Sequence, residues 1–279
     1  MSAEALQART TGVDREQPGP ELPLITAHEP PELVVSATGA GAVAVEPTPP
    51  AVGLRRRRWG RARPAIDSAV KRLLDVTVAA LLLLMMSPFI IAAILLIRLD
   101  SPGPAFFRCT RVGYRGRPLR MLKFRKMHDG ATGLALTTMD DRRFTRVGRW
   151  LAKTKIDEIP QLWHVLRGEM SLVGPRPEDP GFVADHGAEF ETILSVRPGI
   201  TGYSQLAFVD ESRILDDHDP LAHYIERLLR QKIGMDRMYA EQRSLLVDLK
   251  VLFWTVATVV LRCQVAVHRD SGRINLRHR

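Results

Sequence analysis

Two adjacent carboxylates, Asp157 and Glu158, open the run KIDEIPQLWHVLRGEMSLVGPRP, which closes on an arginine between two prolines, Arg176. Proline is tolerated in the first turn of a helix and is costly further in, so Pro160 places a helix start near Asp157. Ile159, Leu162, Trp163 and Leu166 recur at helical spacing, and Arg167-Gly168 reads as a last turn and stop, predicting a helix over 157–167. An acid at such a start lies in the positive end of the helix dipole, beside amides that also favour phosphate, and is expected to stay ionised. Two readings then stand. Asp157 is a helix cap, the usual role of aspartate there, or it is a nucleophile whose neighbour Glu158 binds a hard cation such as Mg²⁺.

Cations surround this pair in the sequence. SLVGPRPEDP has three prolines and a glycine, so it is a rigid loop that holds Arg176 in one direction, where its planar fork suits a diphosphate. RPGITGYSQL repeats the device around Arg197. RVGYRGRPLRMLKFRKM, residues 111–127, reads as a hairpin turning at 116–118, with Lys123, Arg125 and Lys126 as a cationic ridge. DDRRFTRVGRWLAKT has helical periodicity in Phe144, Val147, Trp150 and Leu151 and delivers Lys153 and Lys155 just ahead of the acids. Taken singly, Arg176 or Arg197 is more often an ordinary ion-pair partner and the 123–126 ridge a face toward water or lipid headgroups, but two arginines on rigid turns near an acid pair point to a site.

The elements that must position such a site include one unlike the rest. From Val76 to Ile97 the chain runs 22 residues without a charge, long enough to cross a hydrocarbon core of about 30 Å. Ser87-Pro88 sits at its middle, and both flanks are strongly basic: Arg55 to Arg58, Lys71 and Arg72 before it, Arg98 and Arg108 to Lys126 after it. Positive charge on both sides favours a re-entrant helix broken at Ser87-Pro88 over a kinked span, with the Ser87 hydroxyl satisfying a freed carbonyl. SPGPAFF, residues 101–107, reads as a turn out of the membrane, and the apolar run Val251 to Leu261 as a buried or interfacial helix.

Composition sets the outer limits. Residues 1–64 hold nine of the 19 prolines and no aromatic residue before Trp59, which predicts a disordered head ending in an Arg-rich run; it lacks the pattern of a signal peptide. The net charge is +9 although residues 1–54 carry seven acids, so the remainder is more basic still and suits an anionic membrane surface or phosphorylated substrates. Cys109 and Cys263 stand alone, with no zinc or disulfide spacing, and none of the eight histidines carries an assigned chemistry. The polar stretch Asp210 to Asp219 precedes a helix from Pro220, and the tail 263–279 reads as basic and loose. The expected fold is α+β and mostly helical, with a small β-hairpin and interfacial amphipathic helices around the membrane segment.

KRLLDVTVAALLLLMMSP, KFRKM, KIDEIPQLWHVLRGEMSLVGPRP, RPGITGYSQ and DRMYAEQRSLLVDLK, in that order over residues 66–262, resemble the bacterial sugar transferase family, the monotopic polyprenyl-phosphate phosphoglycosyl transferases. The resemblance implies an enzyme of the cytoplasmic membrane, facing the cytoplasm. It would move a sugar 1-phosphate from a nucleotide sugar, UDP-linked by expectation, to undecaprenyl phosphate and release the nucleoside monophosphate, initiating exopolysaccharide or other surface-glycan assembly. It implies Asp157 as nucleophile through a phosphosugar-aspartyl intermediate, Glu158 as Mg²⁺ ligand, Lys123 as support for the pair, and Arg176 and Arg197 as phosphate contacts. Arg125 joins them as a substrate-binding candidate. The chain departs from the family pattern at Ala152, where arginine is usual, and at Lys155, where serine is usual, so Lys153 or Lys155 is expected to supply the cation. No nucleic-acid partner is expected, and the oligomeric state is left open. Two competing functions are a membrane-tethered protein that binds anionic lipid or nucleic acid, and an enzyme that transfers only the sugar and releases a nucleoside diphosphate.

Overall fold

The uncharged run forms the middle of α1, Ala65–Asp100, in a computed structural model that describes residues 65–133, 137, 141–211, 220–269 and 271–276. The Pro-rich head, and residues 212–219 of the acidic stretch, lie outside the described residues. The portion Ser68–Asp100 is long and apolar enough to cross a membrane, its apolar 18-residue stretch having a mean hydropathy of 2.8. Its apolar side chains are largely bare: Leu84 is 72% exposed, Met85 65% and Phe89 61%. The buried positions fall in two pairs on either side of that stretch, Asp75 and Ala79 before it, Ala93 and Ile97 after it. Ala79 belongs to the main core, and Ala93 and Ile97 belong to a second cluster with Ala105, Phe124 and Leu151. Both ends of α1 therefore pack against folded protein, and Leu83 touches the main core, while Leu84, Met85 and Phe89 between them stay exposed.

Pro88 has no N–H to give the carbonyl of Leu84, four residues back, and the Ser87 hydroxyl donates to that carbonyl at 2.8 Å. Helical hydrogen bonding continues on both sides of Ser87-Pro88, where the backbone bond to Leu84 is missing and the Ser87 hydroxyl takes its place. At the end of α1, the Asp100 carboxylate accepts from the Val147 N–H at 2.9 Å.

The hairpin forms as β1, Phe106–Val112, against β2, Pro118–Phe124, antiparallel with Phe106 opposite Phe124. It turns at Tyr114–Gly116, and Phe106 and Phe107 belong to β1 rather than to the expected turn. Next comes α2, Arg146–Thr154, capped by the Thr145 hydroxyl; Phe144 lies ahead of it in a bridge to Met127. The predicted helix over 157–167 resolves into a 3₁₀ turn, Ile156–Gln161, and α3, Leu162–Arg167, because Pro160 withholds a backbone donor. Trp163 is 51% exposed despite its helical spacing with core residues.

Strand β3, Ser171–Val173, pairs in parallel with β4, Gly199–Thr201. Between them stand the short α4, Pro180–Asp185, and α5, Gly187–Leu194, and after β4 comes α6, Tyr203–Ala207. The helix expected from Pro220 exists as α7, Pro220–His223, running through a π-helical turn, Tyr224–Leu229, into α8, Arg230–Gln242. The last long helix is α9, Leu245–Val260, started by the Ser244 cap. The tail departs from expectation. Strand β5, Val265–Val267, pairs antiparallel with β6, Ile274–Leu276, and buries Val265, Val267 and Ile274 in the main core. Gly272, at φ +63°, makes its turn against the ring of Tyr203, where a Cβ would lie 2.8 Å from the hydroxyl.

Candidate active site

Asp157 and Glu158 lie in the first turn of the 3₁₀ segment, and β2 lies alongside it. That juxtaposition is fixed partly by His164, whose Nε2 accepts from the Leu122 N–H at 3.0 Å while Nδ1 donates to Glu169 at 2.6 Å. His164, given no chemistry from the sequence, is thus the clasp between α3 and β2. Gly148 lets α2 lie directly on the main chain of Lys126, whose carbonyl a Cβ would strike.

The pair is asymmetric. Glu158 Oε1 accepts from Lys123 Nζ at 3.1 Å and from Arg176 Nη2 at 3.0 Å. Burial pushes this carboxyl up, but Arg176 and Lys123 outweigh it and hold it well below the usual carboxylate range. Asp157 is 3% exposed; its Oδ2 stands 4.0 Å from Lys126 Nζ and its Oδ1 has no hydrogen-bond partner. Burial first, and the neighbouring Glu158 second, push the Asp157 carboxyl up against the pull of Lys126, Lys123 and Lys155. Burial thus works against the ionisation that the helix-start position favours, and the three lysines offset it only in part. Burial lowers the Lys126 ammonium, with Asp157 opposing. Lys126, part of the cationic ridge but not singled out from it, is the cation nearest the unpaired acid.

Arg176 is aimed by its surroundings. Its backbone N–H points at Asp236 Oδ2, 3.4 Å away, on α8. The Val112 N–H donates to the carbonyl of Glu178 at 2.9 Å, and Arg111 pairs with Asp179 at 2.8 Å. The buried Glu178 carboxylate accepts from the Tyr224 hydroxyl at 2.9 Å, and Lys232 stands 3.0 Å from that hydroxyl and 3.2 Å from Glu211. The segment 207–235, to which the sequence attached no role, supplies this buttress. Nothing local could have shown it, because Lys232 and Glu211 meet across 21 residues.

The other predicted cations go elsewhere. Arg125 is buried and donates to the Ser101 and Pro102 carbonyls at 2.8 and 2.7 Å, tying β2 to the turn after α1. Arg197 donates to the Gly168 carbonyl at 2.9 Å and lies over the Tyr114 ring. Neither has an ion pair with the acids among the described residues. Lys153 is exposed on α2, and Lys155, left-handed at φ 60°, adds its charge to the field at Asp157.

The donor set suits a hard cation of the Mg²⁺ kind. Lys123 and Arg176 share one oxygen of Glu158, and Asp157 Oδ1 is a buried acceptor without a donor. No cluster of three or more metal-binding side chains occurs among the described residues, and Mg²⁺ is held characteristically by one or two carboxylates with waters and substrate phosphates.

A family profile described as bacterial sugar transferase matches residues 66–262. A Caulobacter vibrioides protein named UDP-glucose:undecaprenyl-phosphate glucose-1-phosphate transferase is 41% identical over 203 residues, 71% of this chain and 72% of its own. The exopolysaccharide production protein PSS of Rhizobium leguminosarum bv. phaseoli is 35% identical over 207 residues, 71% of this chain and 98% of its own. An Aeromonas hydrophila protein named UDP-N-acetylgalactosamine-undecaprenyl-phosphate N-acetylgalactosaminephosphotransferase is 35% identical over 218 residues, and this chain spans only 48% of it. With a profile match over more than half its length, enclosing the acid pair, Arg176 and both halves of α1, the chain belongs to the bacterial sugar transferase family.

Proposed function

We propose that this chain transfers a sugar 1-phosphate from a UDP-sugar to undecaprenyl phosphate, with Asp157 as the covalent nucleophile, as a step in exopolysaccharide synthesis. The observation that carries the proposal is the asymmetry of the acid pair. Glu158 is neutralised by Lys123 and Arg176, whereas Asp157 Oδ1 carries no hydrogen bond that attack would have to break. A carboxylate oxygen of Asp157 attacks the sugar-linked phosphorus. The bond to the bridging oxygen breaks, and UMP leaves with that oxygen. An oxygen of undecaprenyl phosphate then attacks the same phosphorus, freeing Asp157 and forming the diphosphate-linked sugar lipid. Arg176 and Lys126 offer positive charge beside the transferred phosphoryl group, where phosphoryl transfer most needs it. Glu158, with Asp157 beside it, would hold Mg²⁺, which when bound supplies further neutralisation of the diphosphate.

Undecaprenyl phosphate keeps its tail in lipid, so the site must lie at headgroup depth. Two features support a re-entrant seating of α1 in the cytoplasmic membrane, with the folded domain in the cytoplasm. Both ends of α1 pack against folded protein around an exposed apolar centre, and basic residues flank both ends.

Product analysis and substitution test this reading. Asp157→Asn should abolish turnover while membrane association persists, and the unaltered protein should release one UMP per site before acceptor is added. Normal turnover by Asp157→Asn, or release of UDP, would refute it.

A further inference from the structure

A cavity of about 280 Å³ lies between the first turns of α1 and the start of α9. Its charged lining is Lys71, Arg72, Arg197, Arg243, Asp75 and Asp248, four cations against two acids, a net +2. Lys71 is committed to the acids, 2.7 Å from Asp248 and 3.5 Å from Asp75. The arginines are not. Arg72 donates to the Val165 and Leu166 carbonyls and Arg197 to the Gly168 carbonyl, neutral acceptors that orient each guanidinium without cancelling its charge. Arg243 has no ion pair among the described residues. The first turn of α9 forms part of the wall, and its positive dipole end adds to the same field. The space, at about 30 Å³ per water, amounts to roughly nine waters, ample for a phosphate ester.

What borders the cavity narrows the ligand. Leu246 lines it yet is 79% exposed, and Leu249, one turn further along α9, is 56% exposed. Leu73, beside Arg72 on α1, is 69% exposed. A cationic hollow opening beside bare leucines of two helices, at the polar end of the apolar run of α1, is complementary to an anionic amphiphile. None of the lining residues bonds to Asp157, Glu158, Lys123 or Arg176 among the described residues, so the cavity stands apart from the transfer chemistry.

We infer that this cavity binds the phosphate headgroup of an anionic phospholipid, with the acyl chains along Leu246 and Leu249, pinning the start of α1 to the bilayer surface. The inference rests on the membrane seating of α1 and is independent of the role of Asp157.

The test uses the full chain carrying Asp157→Asn, in neutral detergent, so that its outcome does not depend on turnover. Three probes are titrated by native mass spectrometry and thermal shift: short-chain phosphatidylglycerol, inorganic phosphate, and a short polyprenyl phosphate. Phosphatidylglycerol should bind saturably, and Arg243→Gln should weaken it about tenfold, the worth of one charge-assisted contact. Arg237→Gln, an exposed charge on α8, should leave it unchanged. Leu246→Glu should weaken phosphatidylglycerol without changing the response to inorganic phosphate. Equal binding by Arg243→Gln and Arg237→Gln would overturn the inference. Inorganic phosphate competing as well as the lipid would also overturn it, as would tighter binding of the polyprenyl phosphate, which would assign the cavity to the acceptor.

Discussion

Asp236 offers a direct test of the electrostatics behind Arg176. It is 4% exposed on α8, its Oδ2 faces the Arg176 N–H, and its Oδ1 has no partner. Burial pushes its carboxyl from 3.8 up to about 7, with Ser204 and Lys232 only partly opposing. The folded state thus keeps a proton that the unfolded chain has lost. Stability must fall as pH rises through the unfolded pKa, and the loss is complete only above the folded one. At about 1.36 kcal/mol per unit, these values remove about 2 to 3 kcal/mol of folding stability between pH 5 and pH 8. Asp236→Asn cannot titrate, and its carbonyl can still face the Arg176 N–H. The variant should therefore lack this part of the pH dependence, at a constant cost of about 1 kcal/mol for a buried amide without an acceptor. Urea unfolding of both chains in one detergent, followed by tryptophan fluorescence at the two pH values, isolates the effect, because every other titrating group is common to both. Parallel losses from pH 5 to pH 8 in the two chains would refute the reasoning.

Glu158→Gln removes the anion shared by Lys123 and Arg176 and should cost about 2 to 4 kcal/mol at neutral pH. Since a depressed acid stabilises above its unfolded pKa, the gap from the unaltered protein should close as pH falls through the native pKa of Glu158, which acid-titrated unfolding would reveal. Lys155→Gly relieves a left-handed backbone at φ 60° and should raise stability by about 1 kcal/mol while lowering turnover through the lost charge near Asp157, a pairing readable from melts and rates on one preparation. Truncation after Arg262 bares the sites of Val265, Val267 and Ile274, each worth about 1.5 to 3 kcal/mol when buried, and should lower the urea midpoint although the family match ends at 262.

What could be read in advance was decided by how locally each feature is determined. The hairpin was legible because Gly116 and Pro118 force a turn between apolar residues, and α1 because 22 uncharged residues admit few other uses. The burial that pushes the Asp157 carboxyl up was not legible, because a helix-start argument counts only neighbouring amides, whereas that burial comes from the packing of the folded chain. The tail hid its strands for another reason. Two three-residue strands give too little alternation to register, although Val265 and Val267 do point the same way. The arginines are the sharpest comparison, since Arg176 and Arg197 were read alike as cations on rigid turns and Arg125 as part of a cationic ridge. Arg125 follows the last residue of β2 and found the carbonyls of Ser101 and Pro102, and Arg197, beside a proline on one side only, found that of Gly168. Arg176 alone sits between two prolines, with its backbone facing Asp236 and its loop tied through Glu178 and Asp179, and it alone reaches the acid pair. A guanidinium will satisfy itself on whichever acceptor its backbone allows, so the stiffness of the chain around an arginine, more than its charge, carried the information about the site.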